Sequence, residues 1–342
     1  MNLSSRQFPK NVKFLAELRL DDLQNRDHAE DIILFHLGPL ENHGSHLPAG
    51  TDIFITKEIA ERLAIHYALD HPHAGIFVYP AIPIAGASIR GIGSVKVSSR
   101  QIGGDLYSLS RRYMKQGFRR FVFLSVHGGV PFVSALDALC RRLNRKGALA
   151  VAPLSKVAFN SFAGHYNERG RMITDKLPEG FDDLRHRDLH GGCWETSMML
   201  ASCPDLVGDR YRDTPDLFAP DRWWLKAMKK LIMATVRCLP LKAETKEAMA
   251  VGVDVGALDL SWIIQGRTEG YHGSPSRANV DFGNALIQIS VEDIAACMHD
   301  VFEQGANPRK YRSGIYLFHY LKSAGAMMFF VAVAVLFFFI CR

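Results

Sequence analysis

Short apolar runs alternate with longer stretches of helical periodicity along the first half of the chain. The short runs are rich in β-branched and aromatic residues, as buried strands of a parallel sheet are, and they cover residues 31–38, 75–85, 120–126 and 148–155. Between them, apolar positions recur at helical spacing over residues 51–69, 99–117 and 131–146. Strands alternating with helices predict a three-layer α/β/α fold with a mainly parallel sheet.

Polar residues cluster where two of these predicted strands end. The stretch LENHGSHLPAGTD (40–52) follows the strand at 31–38, and HGGV (127–130) follows the strand at 120–126. Ligands of open parallel sheets bind beyond the carboxyl ends of the strands. We therefore expect the two histidine-bearing loops to meet at one edge of the sheet.

The side chains of these loops are of types that bind divalent metal ions. Carboxylates and imidazoles bind Zn²⁺ or Mn²⁺, and the first loop supplies Glu41, His43 and Asp52 while the second supplies His127. Residues two apart in an extended loop point the same way, so Glu41 and His43 can face one pocket. Asp52 can place its carboxylate between two ions.

Each residue also has a purely structural interpretation. Asp52 is a plausible first-turn residue of a helix beside Thr51, and His46 a plausible surface histidine. Gly128 and Gly129 either let the backbone approach a ligand closely or form a tight turn that needs positive φ.

A third stretch, LHGGCWETSMML (189–200), again places two glycines after a histidine. It supplies His190 and Glu195 as candidate functional residues. The structural interpretation is a loop followed by a helix that Thr196 or Ser197 caps.

In order along the chain, ENHGSHLPAGTD, HGGV and HGGCWETS resemble three motifs of the creatininase family, E-x-H-G-x-H-L-P-x-x-T-D, H-G-G and H-A-G-x-x-E-T-S. A fourth stretch, GYHGSPSRANVDFG (270–283), is similar to the family's glycine-rich segment, and the resemblance spans roughly residues 30–300. It implies a creatininase-like fold, a ring-like homo-oligomer and a metal-dependent amidohydrolase. Such enzymes open the lactam ring of creatinine, deformylate a pyrimidine intermediate or clip a peptide.

The resemblance also implies a role for each matching residue. Glu41, Asp52 and His127 would hold one ion and His43 and Asp52 the other, with Asp52 bridging; the ions would be Zn or Mn, or alternatively Fe. Creatinine-hydrolysing members carry a further glutamate ligand where this chain has Gly129. We expect Glu195 to complete the second ion's ligands.

The expected reaction is hydrolysis of a small cyclic amide or a formamide. A metal-activated hydroxide would attack the carbonyl, and His190 would protonate the leaving nitrogen or stabilise the oxyanion. Two other interpretations stay open. One is a catalytically silent binding protein with structural ions, which the loss of glutamate at position 129 favours. The other is a phosphate-ester hydrolase, because two-metal sites also suit phosphoryl transfer.

The C-terminal sequence predicts a membrane anchor. Residues 323–341 carry no charge over 19 residues, close to the ~20 that a membrane-spanning helix needs. Arg and Lys precede this run, so residues 1–313, the hydrolase domain, would face the cytoplasm and residues 314–342 would be a single-pass anchor. No secretory signal is visible at the N-terminus, and the six cysteines form no C-x-x-C pair.

The positive charge of the chain is concentrated in one segment. Seven Lys or Arg and one Glu lie between residues 222 and 246, which gives +6 and equals the net charge of the whole chain; we therefore expect no nucleic-acid partner. A helix over 222–239 would separate an apolar face from a cationic one; these faces consist of Trp224, Leu225, Met228, Leu231, Ile232 and Thr235, and of Lys226, Lys230 and Arg237. This basic insertion, about residues 210–250, either lies on an anionic membrane surface or packs on the domain with its lysines solvated.

Overall fold

The computed structural model describes most of the chain up to residue 313. The described ranges are 7–23, 27–86, 88–89, 91–154, 157, 165–184, 187–220, 222–238, 243–265 and 269–313. The predicted anchor over 314–342 lies outside them. Within the described ranges, every helix is too short or too polar to cross a membrane.

The centre of the fold is a parallel sheet of five strands. The strands are β1 (Val12–Phe14), β2 (Ile32–His36), β3 (Ile76–Val78), β4 (Arg120–Leu124) and β5 (Leu149–Val151). Their order in the sheet is β1-β3-β2-β4-β5, and each neighbouring pair is parallel. Strands β2 to β5 confirm the four predicted runs, whereas β1 is too short and too polar, as VKF, to be recognised from its pattern.

The described helices are α1 (Leu20–Leu23), α2 (Thr51–Asp70), α3 (Ser99–Lys115), α4 (Val130–Asn144), α5 (His165–Ile173), α6 (Phe181–Leu184), α7 (Cys193–Ser202), α8 (Trp223–Cys238), α9 (Ala243–Gln265) and α10 (Val280–Phe302). Helices α2, α3 and α4 confirm the predicted helices and match their bounds to within a few residues.

The helices cover both faces of the sheet, which confirms the three-layer α/β/α architecture. Successive side chains of a strand point to opposite faces. Accordingly, Ile32 and Leu34 of β2 pack in one apolar cluster with α2 and α10. Ile33 and Phe35 pack in a second cluster with α3 and α4 on the other face.

The connection from β2 to α2 brings the start of the helix against the end of the strand. A Cβ on Gly38, just after β2, would lie 2.8 Å from the backbone nitrogen of Ile53 and 2.9 Å from the Cβ of Asp52. Only glycine allows this close approach. The approach places Asp52, in the first turn of α2, at the carboxyl edge of the sheet.

The basic insertion contains α8, which packs against α9. Leu225 and Val236 of α8 are buried, and Lys229 Nζ lies 2.5 Å from Asp254 Oδ1 of α9. Lys226, Lys230 and Arg237 are exposed. These contacts agree with a helix packed on the protein with solvated lysines, and contact with a membrane stays a prediction.

Candidate metal centre

The loops that follow β2 and β4 meet at the carboxyl edge of the sheet, as predicted. His127 Nδ1, after β4, lies 3.2 Å from Glu41 Oε2 and 3.6 Å from Asp52 Oδ2. All three side chains are buried. The two motifs therefore form one pocket although Asp52 and His127 are 75 positions apart in the sequence.

Two clusters of potential metal ligands share Asp52. The first cluster consists of Glu41, Asp52 and His127, and the second of His43, Asp52 and Glu195; within each, one ligand atom per residue lies within 4.8 Å of the others. His43 Nε2 is 3.5 Å from Asp52 Oδ2 and 3.7 Å from Glu195 Oε2. Every residue that the sequence suggested as a ligand thus belongs to one of these clusters.

Several of these ligand atoms are buried and, among the described residues, have no hydrogen-bond partner. Glu41 Oε2, His43 Nε2 and both Asp52 carboxylate oxygens make no hydrogen bond of good geometry in the described structure. The other Glu41 oxygen, Oε1, accepts a short hydrogen bond from the Ile89 amide. The rings of His43 and His127 face these carboxylates; when the rings are neutral, the buried negative charge is costly unless a cation compensates for it. The residues present therefore fit bound divalent cations.

Backbone carbonyls orient the histidine rings of both clusters. His127 Nε2 lies 2.9 Å from the Gly86 carbonyl oxygen, and His43 Nδ1 lies 2.9 Å from that of Glu41. A carbonyl can only accept, so each of these nitrogens donates its proton, and in the neutral form of each ring, which is the form that binds a metal, the lone pair resides on His127 Nδ1 or His43 Nε2. Those are the nitrogens that face the carboxylates, as in histidines that bind metals.

The field of the carboxylates dominates the electrostatics of the pocket. Burial alone would lower the pKa of His43, but Asp52, Glu195 and Glu41 raise it to about 9. Burial also disfavours the charged form of His127, yet Asp52 and Glu41 raise the pKa of that ring well above its ordinary value. The pKa of Asp52 is lowered despite its burial, because His43 and His127 stabilise its charged form. The pocket therefore attracts positive charge.

The glycine pairs of the second and third motifs differ. Gly129 has a φ of −53° and Gly128 is outside the left-handed region, so of the two interpretations of this glycine pair the positive-φ turn is wrong. Gly191, in contrast, has a φ of +56°, and a Cβ there would lie 2.8 Å from the His43 carbonyl oxygen. The third motif therefore needs glycine at position 191 so that its backbone can pack against the backbone of the first motif.

Asp188 caps the start of α7, and not Thr196 or Ser197 as the structural interpretation of this motif had it. The N-cap residue is Gly192, which makes no side-chain cap bond. Instead the buried Asp188 carboxylate accepts hydrogen bonds from the amides of Cys193 (2.6 Å) and Trp194 (3.2 Å), and from Ser274 (3.0 Å). Glu195 thereby enters the pocket from the first turn of a fixed helix. Asp188 was missed because its partners are backbone amides, which no side-chain motif reveals.

His46 is a buried residue and not the surface histidine considered from the sequence. It is 1% exposed, and its Nε2 lies 2.9 Å from the Gly191 carbonyl oxygen and 3.2 Å from Thr196 Oγ1. Burial lowers the pKa of His46 to about 4, so the ring is neutral near pH 7.

His190 lies beside the two clusters, and its ring contacts the Asn42 carbonyl and the rings of His43 and Trp262. Its Nε2 lies 2.9 Å from the Asn42 carbonyl oxygen, and its ring centroid lies 4.1 Å from that of His43 and 5.4 Å from that of Trp262. One of its nitrogens also lies within 4.8 Å of ligand atoms of Glu41 and His43. The contact with Trp262, from α9, was not predicted, because nothing in the local sequence pattern distinguishes this residue from a core tryptophan.

Comparisons with known proteins show which family this chain resembles. The profile of the creatininase family, described as creatinine amidohydrolase, matches residues 16–298. A creatinine amidohydrolase of Pseudomonas putida is 27% identical over 218 residues, which are 60% of this chain and 78% of that protein.

Two solved structures share the fold. A structure described as "Creatininase Mn" has a TM-score of 0.56 and 19% identity over 85% of this chain and 99% of its own. A creatininase variant complexed with creatine has a TM-score of 0.54 and 18% identity over the same 85% and 99%. Because the family profile covers most of its length, this chain belongs to the creatininase family.

Proposed function

We propose that this protein is a metal-dependent amidohydrolase that cleaves a C–N bond of a small cyclic amide or formamide. The observation that carries the proposal is the pair of mutually close clusters that share Asp52, in which Glu41 Oε2, His43 Nε2 and both Asp52 oxygens are buried and make no hydrogen bond of good geometry. Such an arrangement suits two ions that one carboxylate bridges.

The donor set favours Zn²⁺ or Mn²⁺, with Fe²⁺ as the alternative. Glu41, Asp52 and His127 would hold one ion, and His43, Asp52 and Glu195 the other. Carboxylates and imidazoles together suit these metals, and the Mn form of a creatininase shares the fold. When bound, such ions acidify a water molecule and polarise a carbonyl group.

Glu195 takes the place of the glutamate that this chain lacks at position 129. Its Oε2 is 3.7 Å from His43 Nε2 and accepts a 2.6 Å hydrogen bond from the Gly191 amide. The carboxylate is thus held where a third ligand of the second cluster is needed. This contact supports an active enzyme over a silent member of the family.

His190 is the proton carrier in the proposed reaction. Its Nε2–H is engaged by the Asn42 carbonyl, so Nδ1 is the atom that accepts the proton of the attacking water and returns it to the leaving nitrogen. His43 and Trp262 fix the plane of the ring. A positioned acid–base group of this kind contributes roughly 10²- to 10⁴-fold to the rate.

A substrate screen tests the proposal. The full-length chain, loaded with Zn²⁺ or Mn²⁺, is incubated with creatinine, other lactams and N-formyl amines, and release of the carboxylate or amine is measured. We expect hydrolysis of at least one class, reduced about 10²- to 10⁴-fold in His190→Ala with metal content unchanged. No hydrolysis of any class by the metal-loaded chain would favour the silent binding protein, and full activity of His190→Ala would remove that residue from the mechanism.

We also propose that residues 323–341 anchor the hydrolase domain, residues 1–313, to a membrane with the domain in the cytoplasm. The support is the uncharged run of 19 residues and the basic residues before it. The full-length chain should stay with membranes after alkaline carbonate extraction. Val333→Arg should release it, because arginine at the centre of a span costs about 2.5 to 3.5 kcal/mol on insertion scales. Recovery of the unmodified chain in the soluble fraction would contradict the anchor.

The ring-like homo-oligomer stays a prediction, and light scattering of the purified chain tests it.

A further inference from the structure

We propose that His46 is a positioning residue that holds Glu195 in the second cluster through the Gly191 peptide. The inference rests on the proposed function, because it assumes that the second cluster binds an ion. It assigns a task to a buried histidine that is not itself in either cluster.

The Gly191 peptide is bonded on both sides. Its carbonyl oxygen lies 2.9 Å from His46 Nε2, and its amide donates a 2.6 Å hydrogen bond to Glu195 Oε2. The carbonyl bond requires the proton on His46 Nε2, since a carbonyl can only accept. A displacement of this peptide would therefore change the position of the Glu195 carboxylate directly.

Glu195 needs this support more than the other ligands do. Its side chain is 16% exposed, whereas those of His43 and Asp52 are 0% and 1% exposed. It lies on the first turn of α7, whose start Asp188 fixes, and within the described part of the chain its carboxylate is held by the hydrogen bond from Gly191. Because position 129 is glycine, the second cluster depends on this carboxylate.

His46 also joins two motifs that are far apart in the sequence. It belongs to the loop of Glu41 and His43, and its contacts with Gly191 and Thr196 hold that loop against the start of α7. The separation between His43 and Glu195, the width of the second cluster, is therefore set partly by one side chain. Partners that orient ligands in this way typically contribute 10- to 100-fold to metal affinity.

A matched pair of variants tests the proposal. In His46→Gln the amide nitrogen stands near the position of Nε2 and can still donate to the Gly191 carbonyl. In His46→Asn it stands near the position of Nδ1, which has no hydrogen-bond partner in the described structure, and cannot reach Gly191. Both replacements are polar and smaller than histidine, and His66→Gln on the exposed surface of α2 is the control.

Metal-free full-length chain is titrated with Co²⁺ by calorimetry, and thermal unfolding verifies that each variant is folded. For His46→Asn we expect the dissociation constant of the second Co²⁺ to rise about 10- to 100-fold, with that of the first unchanged. His46→Gln should restore most of the affinity, and His66→Gln should match the unmodified chain.

Two results would overturn the inference while leaving the proposed function intact. In the first, His46→Asn binds both ions with unchanged dissociation constants. In the second, His46→Asn and His46→Gln both raise the dissociation constants of the two ions by the same factor. Equal weakening would show a general structural role. If the unmodified chain binds fewer than two Co²⁺ ions, the proposed two-ion centre is wrong, and the inference about His46 is then wrong as well.

Discussion

Gly191 lies where the chain allows no side chain. Its φ is +56°, and a Cβ atom at this position would lie 2.8 Å from the His43 carbonyl oxygen, which leaves room for glycine alone. The same peptide carries the hydrogen bonds to His46 and Glu195. A single residue without a side chain thus determines how closely the first and third motifs approach each other.

We therefore predict that Gly191→Ala destabilises the fold by about 1 to 3 kcal/mol, the range for a non-glycine residue in a strained backbone conformation. Gly104→Ala is the matched control. It lies inside α3, where an added Cβ would have no atom within 4 Å, so alanine there should stabilise the chain by about 0.5 to 1 kcal/mol. Urea unfolding of both variants measures the difference, and equal effects would contradict this account of Gly191.

The helices around the site are held in place by buried polar groups at their ends and along their sides. Asp188 fixes the start of α7. On the other face of the sheet, the Asp137 carboxylate of α4 accepts a hydrogen bond from the Ser313 hydroxyl, and both residues are 3% exposed. The last described residue is therefore attached to a helix that begins at the metal centre.

Asp137 gives this attachment a pH dependence. Burial raises its pKa to about 6 from an ordinary value of 3.8, although the bonds from Ser313 act in the other direction. Between these two values the unfolded chain loses the proton and the folded chain keeps it, so the free energy of unfolding falls as pH rises. The loss is about 3 kcal/mol by pH 7.

Asp137→Asn removes this titration. We expect the free energy of unfolding of the unmodified chain, relative to that of the variant, to fall by about 3 kcal/mol between about pH 3.5 and about pH 7. Urea unfolding of both proteins at several pH values measures it. A constant difference across that range would show that Asp137 ionises normally in the folded chain.

For the whole molecule, the sheet and the placement of the site follow from patterns that the sequence displays. The runs that became β2 and β4 end in polar loops, and parallel strands bring such ends to one edge. What the sequence could not show are contacts between backbone and distant side chains. Asp188 accepts a hydrogen bond from a backbone amide at the start of α7. The ring of Trp262, in α9, contacts that of His190. His46 contacts the carbonyl of Gly191, which is 145 positions away in the sequence.

Metal binding should stabilise the whole fold, because the clusters join segments from three parts of the chain. An ion at about 1,000 times its dissociation constant adds about 4 kcal/mol to the free energy of unfolding. Chelation of the metal-loaded chain should remove a stabilisation of this size, as measured by urea unfolding. Asp52→Ala, which lacks the shared ligand, should be insensitive to the chelator; the same loss in both proteins would contradict a metal effect.

Metal content by plasma mass spectrometry is the most direct test of the bridged two-ion centre. We predict two ions per unmodified full-length chain, one in Glu195→Ala and none in Asp52→Ala, with His66→Gln as an unaffected control. Two ions retained in Asp52→Ala, or fewer than two in the unmodified chain, would contradict the centre in which Asp52 bridges both ions.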